Sequence, residues 1–522
     1  MARIERCAKI VDQTAVATEL LKAATYRKNA ETKHWEEMKI QCEKWLRPSN
    51  VRDYLHQQLE LKVDGTCDWI LSYEAFRKWS SPDPNNPTSA DRLLFVSGNH
   101  GCGKSILSSS ITAHLEKQHD LTLYFSFSST DISRLDISNL IRTLLWQLLQ
   151  KGSDEKGVNT VRSLMCHGQP VLSELWETFC GILIQNTGPT FCIIDGVDEC
   201  NDLNLFSRKF LGLLDSCTEL HIMMLGRPHA IQVLQLPCSH SFQTVDITPS
   251  LISQDIGTFI ENEITGSNIL RLPEIQDSVI GTLKEQSDGM FLWVKLMVND
   301  LQRSSTQHEV AERLQNLPRG LEEAYQATLQ HLTQRLDSFE LHLAQTIFAF
   351  VCVAYRPLSF DELSYAWALV SRSATSSVTK HPLDRFLLIQ PVSRILDICG
   401  GLIFVRSGSL NFIHSSVREY LTRPLERWIS ESGCISIDFR INVSETHSSL
   451  TLMCLDYLGM PKEERVLENL DSREHVQRCY PFLGYATMYT FYHLNRLESI
   501  SSSILGKIKD VLDSVQGIFW LE

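Results

Sequence analysis

The segment LLFVSGNHGCGKSILSSSI, residues 93–111, constrains this chain more than any other. An apolar run with the length of a strand leads into Gly98, four residues, then Gly103, Lys104 and Ser105, and "SILSSSITAHLEK" continues as a helix. Glycines there let successive backbone N–H groups turn inward around an anion, where a Cβ would collide or forbid a positive φ. Gly101 adds freedom in the middle, and the backbone from Gly98 through Cys102 to Ile106 forms the cradle. Lys104 would bridge the β- and γ-phosphates of a nucleotide. Ser105 would offer its hydroxyl to magnesium, and the helix would face the anion with its positive end. A strand before such a loop and a helix after it place the loop in an α/β sheet.

Five β-rich runs support that class: LLFVS, LTLYFSFS, TFCIID, LHIMML and FQTVDI alternate with helical stretches between about residues 93 and 250. Such alternation predicts a parallel sheet covered by helices. Residues 1–60 have helical composition and form a lead-in, and the turn cluster KWSSPDPNNPTSADR, 78–92, follows it before the first strand. Beyond about residue 253 the pattern is mostly helical, with turn signals near Pro273, Pro318 and Pro357. No repeat with a period of 20 to 50 residues is visible.

A chain of 522 residues holds more than one core. Its net charge of -13 argues against binding to a nucleic-acid duplex, which needs clustered Lys and Arg. The 15 cysteines are odd in number and scattered, without a CxxC pair. Several, including Cys192 and Cys352, lie in apolar strand-like runs and read as reduced, buried hydrophobes. The first residues carry charges where a secretory signal needs an apolar stretch. The longest apolar run, residues 344–355, is shorter than the roughly 20 residues of a membrane span. These features predict a cytoplasmic protein with no membrane span.

A magnesium nucleotide needs carboxylates as well. TFCIIDGVDEC, 190–200, ends a strand in Asp195, placed to hold magnesium through its water shell, with Asp198 and Glu199 just beyond. Either Glu199 or Asp198 could orient an attacking water. The alternative is a strand followed by a solvated acidic turn. A further strand, in LHIMMLGRPHA, ends in Arg227 before a proline. A guanidinium at the C-terminal end of a parallel strand points to the crevice where such sheets bind ligands, so Arg227 is a γ-phosphate sensor candidate. A surface arginine before a turn is the other reading.

The phosphate loop, "DGVDEC" and "GRP" together resemble the NACHT family of STAND nucleotide-binding switches, in particular fungal relatives of NOD-like receptors. "VDGTCDWILSYEAFRKW" upstream resembles that family's lead into its phosphate loop. "SDGMFLWVKLMVNDL", "YRPLSFDELSYAWAL", "CGGLIFVRSGSLNFIHSSVREYL" and "CYPFLGYATMYTFYHL" downstream resemble its helical, winged-helix and second helical regions. The resemblance covers about residues 40–500. It implies a nucleotide-binding domain at 61–250, a helical domain at 251–335, a winged helix at 336–430 and a second helical domain at 431–522. It also implies that His414 contacts the nucleotide diphosphate and holds the protein closed; a core histidine capping a helix is the competing reading. Adenine contacts in the first helical domain stay unassigned, and "MFLWV", "YRPL" and the C-terminal aromatics read as interhelical core.

The activity so implied is an ATP/ADP switch with slow ATPase turnover and Mg2+. ADP would hold it closed, and ATP would release it for self-association or partner binding, in fungal innate immunity or heterokaryon incompatibility. A nucleotide-binding scaffold without turnover and a small-molecule kinase are the other classes. Relatives usually continue into repeats, yet only about thirty residues follow Leu494, fewer than one ~33-residue repeat. The expectation is a self-associating switch core, or an adaptor for a separate sensor.

Overall fold

The computed structural model describes residues 33, 35–81, 92–119, 121–129, 131–151, 155–166, 168, 170–186, 188–234, 242–374, 383–389, 392–406, 408–432, 439–460 and 480–513. Its centre is a five-stranded parallel sheet of β1 (Leu93–Ser97), β2 (Thr122–Ser126), β3 (Thr190–Asp195), β4 (Leu220–Gly226) and β5 (Gln243–Asp246), in the order β2-β3-β4-β1-β5. Every residue of β1 to β4 is buried, as expected for strands covered by helices on both faces and written as continuous apolar runs.

The register brings the C-terminal ends of the strands to one edge. Ser126 lies beside Asp195, and Ser97 beside both Gly226 and Asp246. The ladder runs on past the strands, with Gly98 N donating to Gly226 O at 3.2 Å and Phe127 N to Asp195 O at 2.9 Å. The phosphate loop, the acidic turn and Arg227 therefore leave the sheet side by side.

Helix α1 (Lys104–Leu115) follows the loop directly. It buries Leu107, Ile111 and Leu115 at four-residue spacing, and Ser108, Ser109 and Thr112 let it approach the sheet closely. The described part of the N-terminal lead-in shares the sheet's core: Met38, Cys42, Leu46, Val51 and Leu55 belong to one apolar cluster with β1 to β5. Trp79 anchors the next segment, donating from Nε1 to the carbonyl of Ile222 on β4 at 3.0 Å.

A second core runs from Ile252 to Val511. Within it, α2 (Phe291–Leu301) packs beside the phosphate loop, Leu292 N donating to Gly101 O at 3.3 Å. Helices Ser338–Val353, Phe360–Ala374 and Val392–Ile398 precede an antiparallel hairpin of β6 (Ile403–Arg406) and β7 (Ser409–Phe412), whose turn uses Gly408 at φ 74°. Helix α3 (Ser415–Leu421) then completes a winged helix. Cys352, expected in a strand-like run, instead lies in helix Ser338–Val353. A continuous apolar stretch has the same composition in a buried helix as in a buried strand. The eleven cysteines among the described residues are all unpaired.

Behind the winged helix, α4 (Val443–Leu458) lies against α5 (Leu483–Leu494). Their buried polar groups pair: His447 Nδ1 and His493 Nδ1 are 2.8 Å apart, and His493 Nε2 meets the Tyr485 hydroxyl at 2.9 Å. That hydroxyl also accepts from Tyr355 N at 2.9 Å, tying this layer to the winged helix. No helix among the described residues is long and apolar enough to cross a membrane.

Candidate nucleotide site

The loop Gly98–Ser105 wraps an open concavity. Gly101 and Gly103 have φ of 71° and 87°, values at which a side chain is strained. A Cβ on Gly101 would stand 2.9 Å from Leu292 Cβ, and one on Gly98 2.6 Å from Cys102 Sγ. The glycines thus serve both the turn and its packing against α2. Cys102 is buried, which pushes its thiol up, while Ile106 faces the cavity from the first turn of α1. Lys104 Nζ folds back onto the loop, donating to the carbonyls of Gly98 and Asn99 at 2.8 Å each.

Asp195 ends β3 with 2% exposure and accepts from Ser126 Oγ at 3.2 Å. Burial foremost, with the charge of Glu199 adding to it, pushes its carboxyl up to about 6, against a bond from Ser105 and the attraction of Lys104. A buried carboxylate that is costly to ionise, beside a serine hydroxyl on a phosphate loop, suits a magnesium nucleotide. Mg2+ usually takes one or two protein oxygens and completes its shell with phosphates and water. Among the described residues no cluster of three His, Cys, Asp or Glu could hold a metal unaided.

The turn Val197–Glu199 carries the other two carboxylates, and both are engaged. Asp198 accepts from Arg227 N at 3.1 Å and pairs with Arg227 Nε at 2.9 Å. The remaining two guanidinium nitrogens of Arg227 reach Glu419 on α3, at 2.5 and 3.3 Å. Glu199 Oε2 accepts from Ser129 N at 2.6 Å, and Oε1 from Ser415 Oγ at 3.1 Å. Arg418 donates to the carbonyl of Ser129. Ser415, Arg418 and Glu419, at i, i+3 and i+4 of one helix, therefore meet the residues that leave β2, β3 and β4.

His414 caps α3 and also lines the cavity. Its Nδ1 accepts from Ser416 N at 3.1 Å, so a neutral ring carries its proton on Nε2 and can donate that to an anion. The side chain keeps some solvent contact, yet burial, with the positive potential of His100, Lys104 and Arg227, pushes the imidazole down to about 3. The His100 ring lies 6.0 Å away, and its Nδ1 is buried with no partner.

Together these groups line a cavity of about 320 Å3, at the lower end of the ~300–1,000 Å3 of small-molecule sites. Gly101, Cys102, Gly103, Lys104, Ser105, Ile106, Asp195, Asp198, Glu199, Arg227 and His414 all face it; Gly98 supports the loop from behind. Sequence reasoning missed its far wall. Thr66, Cys67 and Trp69 come from the segment before β1, and Phe259, Phe291 and Leu292 from the helical region. Cys67 holds φ 69° while its N–H donates to buried Asp255 at 2.7 Å, which fixes that segment over the cavity. "MFLWV" divides accordingly: Trp293 and Val294 are core, whereas Phe291 and Leu292 line the site. A short apolar run does not disclose which of its residues faces a ligand. Ser415, Arg418 and Glu419 carried no motif beyond their place next to His414.

The family profile described as Nephrocystin 3, N-terminal, matches residues 65–227, and that of the GPI inositol-deacylase winged helix domain matches residues 333–431. The vegetative incompatibility protein HET-E-1 of Podospora anserina is 25% identical over 385 residues, 69% of this chain and 26% of that protein. The chain thus spans about a quarter of that relative's length. Among solved structures, a signal transduction ATPase with numerous domains carrying a tetratricopeptide repeat sensor, from Pyrococcus horikoshii, aligns over 82% of this chain and 57% of its own. Its identity is 14% and the TM-score 0.36. The Orc1 protein of Aeropyrum pernix in complex with DNA aligns over 68% and 91% at 12% identity and a TM-score of 0.28. Superpositions that weak carry no argument. The profile matches and the fungal relative, laid over a phosphate loop on a parallel sheet with a winged helix behind it, make this chain similar to proteins of the NACHT/STAND type.

Proposed function

We propose that the chain is an ATP/ADP-dependent signalling switch whose winged helix closes over the nucleotide site. The observation that carries this reading is the cross-domain set around α3: Ser415 occupies Glu199, Glu419 occupies Arg227 and His414 lines the cavity. A helix that engages both the water-orienting candidate and the phosphate-sensing candidate makes turnover depend on where that helix sits.

In this reading the loop from Gly98 to Ile106 holds the phosphates, and Lys104 leaves its two carbonyls for the β- and γ-phosphates. Ser105 and Asp195 would hold Mg2+, which when bound offsets phosphate charge and neutralises the buried carboxylate. The base would lodge on the apolar wall of Thr66, Cys67, Trp69, Phe259 and Phe291; ATP and ADP suit it, in keeping with the family resemblance. His414 would donate from Nε2 to the diphosphate. Glu199 would orient the attacking water only after releasing Ser415, which makes turnover slow and coupled to opening. Opened protein would self-associate or bind a protein partner, and the relative's name suggests vegetative incompatibility as the process.

The test uses purified protein with ADP or ATP and Mg2+. Thermal stabilisation by both nucleotides, phosphate release lost in Lys104→Ala, and an ATP-dependent rise in light scattering are expected. Binding without turnover would favour a scaffold, for which the engagement of both Glu199 oxygens is the supporting observation. No binding of either nucleotide would overturn both readings.

A further inference from the structure

Among the further cations that line the cavity, one comes from a segment after β2 that the phosphate-loop pattern does not reach. Arg134 ends the one-turn helix Ile132–Arg134 after β2 and lines the same cavity as Lys104, Ser105 and Asp195. It is 8% exposed. Its Nε pairs with Asp131 at 3.0 Å, its guanidinium carbon stands 4.3 Å from the centre of the Tyr54 ring, and its Nη1 is buried without any hydrogen-bond partner. A charged donor left unpaired away from water is costly, more so than a neutral one. Lys104 and Arg227, which line the same cavity, differ: Lys104 Nζ is satisfied by loop carbonyls, and the guanidinium nitrogens of Arg227 are shared between Asp198 and Glu419.

The guanidinium of Arg134 is also held in place before any ligand arrives. Asp131 fixes one edge and is itself fixed by Ser133, which donates from N at 3.0 Å and from Oγ at 2.6 Å. Tyr54 supports the face, so the free edge is the Nη1 side. The position follows from the sheet. Arg134 O accepts from Ser128 N at 3.1 Å, two residues beyond Ser126, which pairs in register with Asp195. Arg134 therefore belongs to the strand exit beside Asp195, the carboxylate placed to hold magnesium.

We propose that Arg134 binds the terminal phosphoryl group of a nucleoside triphosphate, Nη1 donating to a non-bridging oxygen, and so distinguishes a triphosphate from a diphosphate. The proposal rests on the nucleotide-site reading above. Its segment also contains Ser129, which bonds Glu199 through N and Arg418 through O, so a pull on Arg134 acts on the strand exit that the winged helix grips.

Arg134→Met and Arg134→Lys are compared with wild type for affinity to ADP and to a non-hydrolysable ATP analogue with Mg2+. The methionine variant is expected to bind the analogue at least about tenfold more weakly, as for a lost hydrogen bond to a charged group. ADP affinity should stay within about twofold and lysine should restore part of the loss, since it supplies the charge without the fork. A purely structural role would weaken both ligands alike. Equal losses, or none, overturn the proposal; if the methionine variant fails to fold, Arg134→Gln, which keeps a donor toward Asp131, reads the same ratio. Wild-type protein that binds neither nucleotide would sink the nucleotide-site reading and this proposal with it. Wild type that binds both, with a variant that discriminates as wild type does, would sink this proposal alone.

Discussion

Replacing Glu419 by Gln keeps the shape and one acceptor but removes the charge that the winged helix offers to Arg227. The Arg227 side chain is 18% exposed and that of Glu419 47%, with a shortest N–O distance of 2.5 Å. Unit charges about 4 Å apart attract by about 1 kcal/mol in water and about 4 kcal/mol at an effective dielectric constant of about 20. The half-exposed glutamate brings the pair toward the lower figure, and ~1–2 kcal/mol is a reasonable contribution to the closed form. That energy changes a two-state ratio by a factor of about 5–30. Pre-bound fluorescent ADP, chased with excess ATP, should leave Glu419→Gln faster by about that factor. Raising the salt concentration should speed release from wild type and leave the variant nearly unaffected. Arg227→Gln combined with Glu419→Gln should show strong non-additivity, because each single change already breaks the pair. Release within twofold of wild type, or additive effects of the two changes, would refute the argument that this pair holds the domains together.

Other perturbations have equally direct readouts. Lys104→Ala should abolish nucleotide-induced thermal stabilisation while the nucleotide-free protein stays within about 1 kcal/mol in a denaturant titration, since its bonds go to carbonyls that water can reach. Glu199→Gln should bind ATP and lose most phosphate release in a single-turnover assay; unchanged turnover would move the water-orienting role to Asp198. Asp195 carries a carboxyl raised from 3.8 to about 6, so its ionisation penalises the folded apoprotein above pH 6, by up to about 3 kcal/mol, and not below pH 4. Asp195→Asn should therefore raise the apoprotein's melting temperature at pH 7.5, lose that advantage toward pH 4, and lose Mg2+-dependent nucleotide affinity. Gly101→Ala must fit a Cβ 2.9 Å from Leu292 at φ 71°, and should weaken ADP binding through the displaced loop, as read by titration.

What the sequence disclosed follows the range over which each signal acts. The five strands and α1 were legible because apolar runs and turn residues are local, and the phosphate loop because its geometry needs glycine and lysine at fixed spacing. Asp195 could be placed because a strand end fixes both its depth and its direction. The apolar stretch around Cys352 was ambiguous, since burial on all sides erases the period that tells helix from strand. Phe291 and Leu292 were read as core for a related reason: hydrophobicity reports exclusion from water and not what does the excluding.

The contacts on which the proposed switch depends were the least legible, and their separation explains it. Ser415 meets Glu199 across 216 residues, Glu419 meets Arg227 across 192, and Arg418 meets Ser129 across 289. Nothing near either partner fixes the other. The order inside α3 does carry information once the fold is known. Ser416, Val417, Tyr420 and Leu421 are buried, Ser416 Oγ lying 2.8 Å from the hydroxyl of Tyr325 on helix Gly320–Arg335 of the preceding helical region. The intervening positions, Ser415, Arg418 and Glu419, face the sheet. One face of a two-turn helix is thus fastened to the helical side of the molecule and the other to the nucleotide domain. Movement of the winged helix together with helix Gly320–Arg335 as one rigid body would break the bonds to Glu199, Ser129 and Arg227 together and leave that to Tyr325 intact. Three modest polar contacts borne on one rigid element then open as a unit, so a perturbation at any one of them is expected to be felt at the other two.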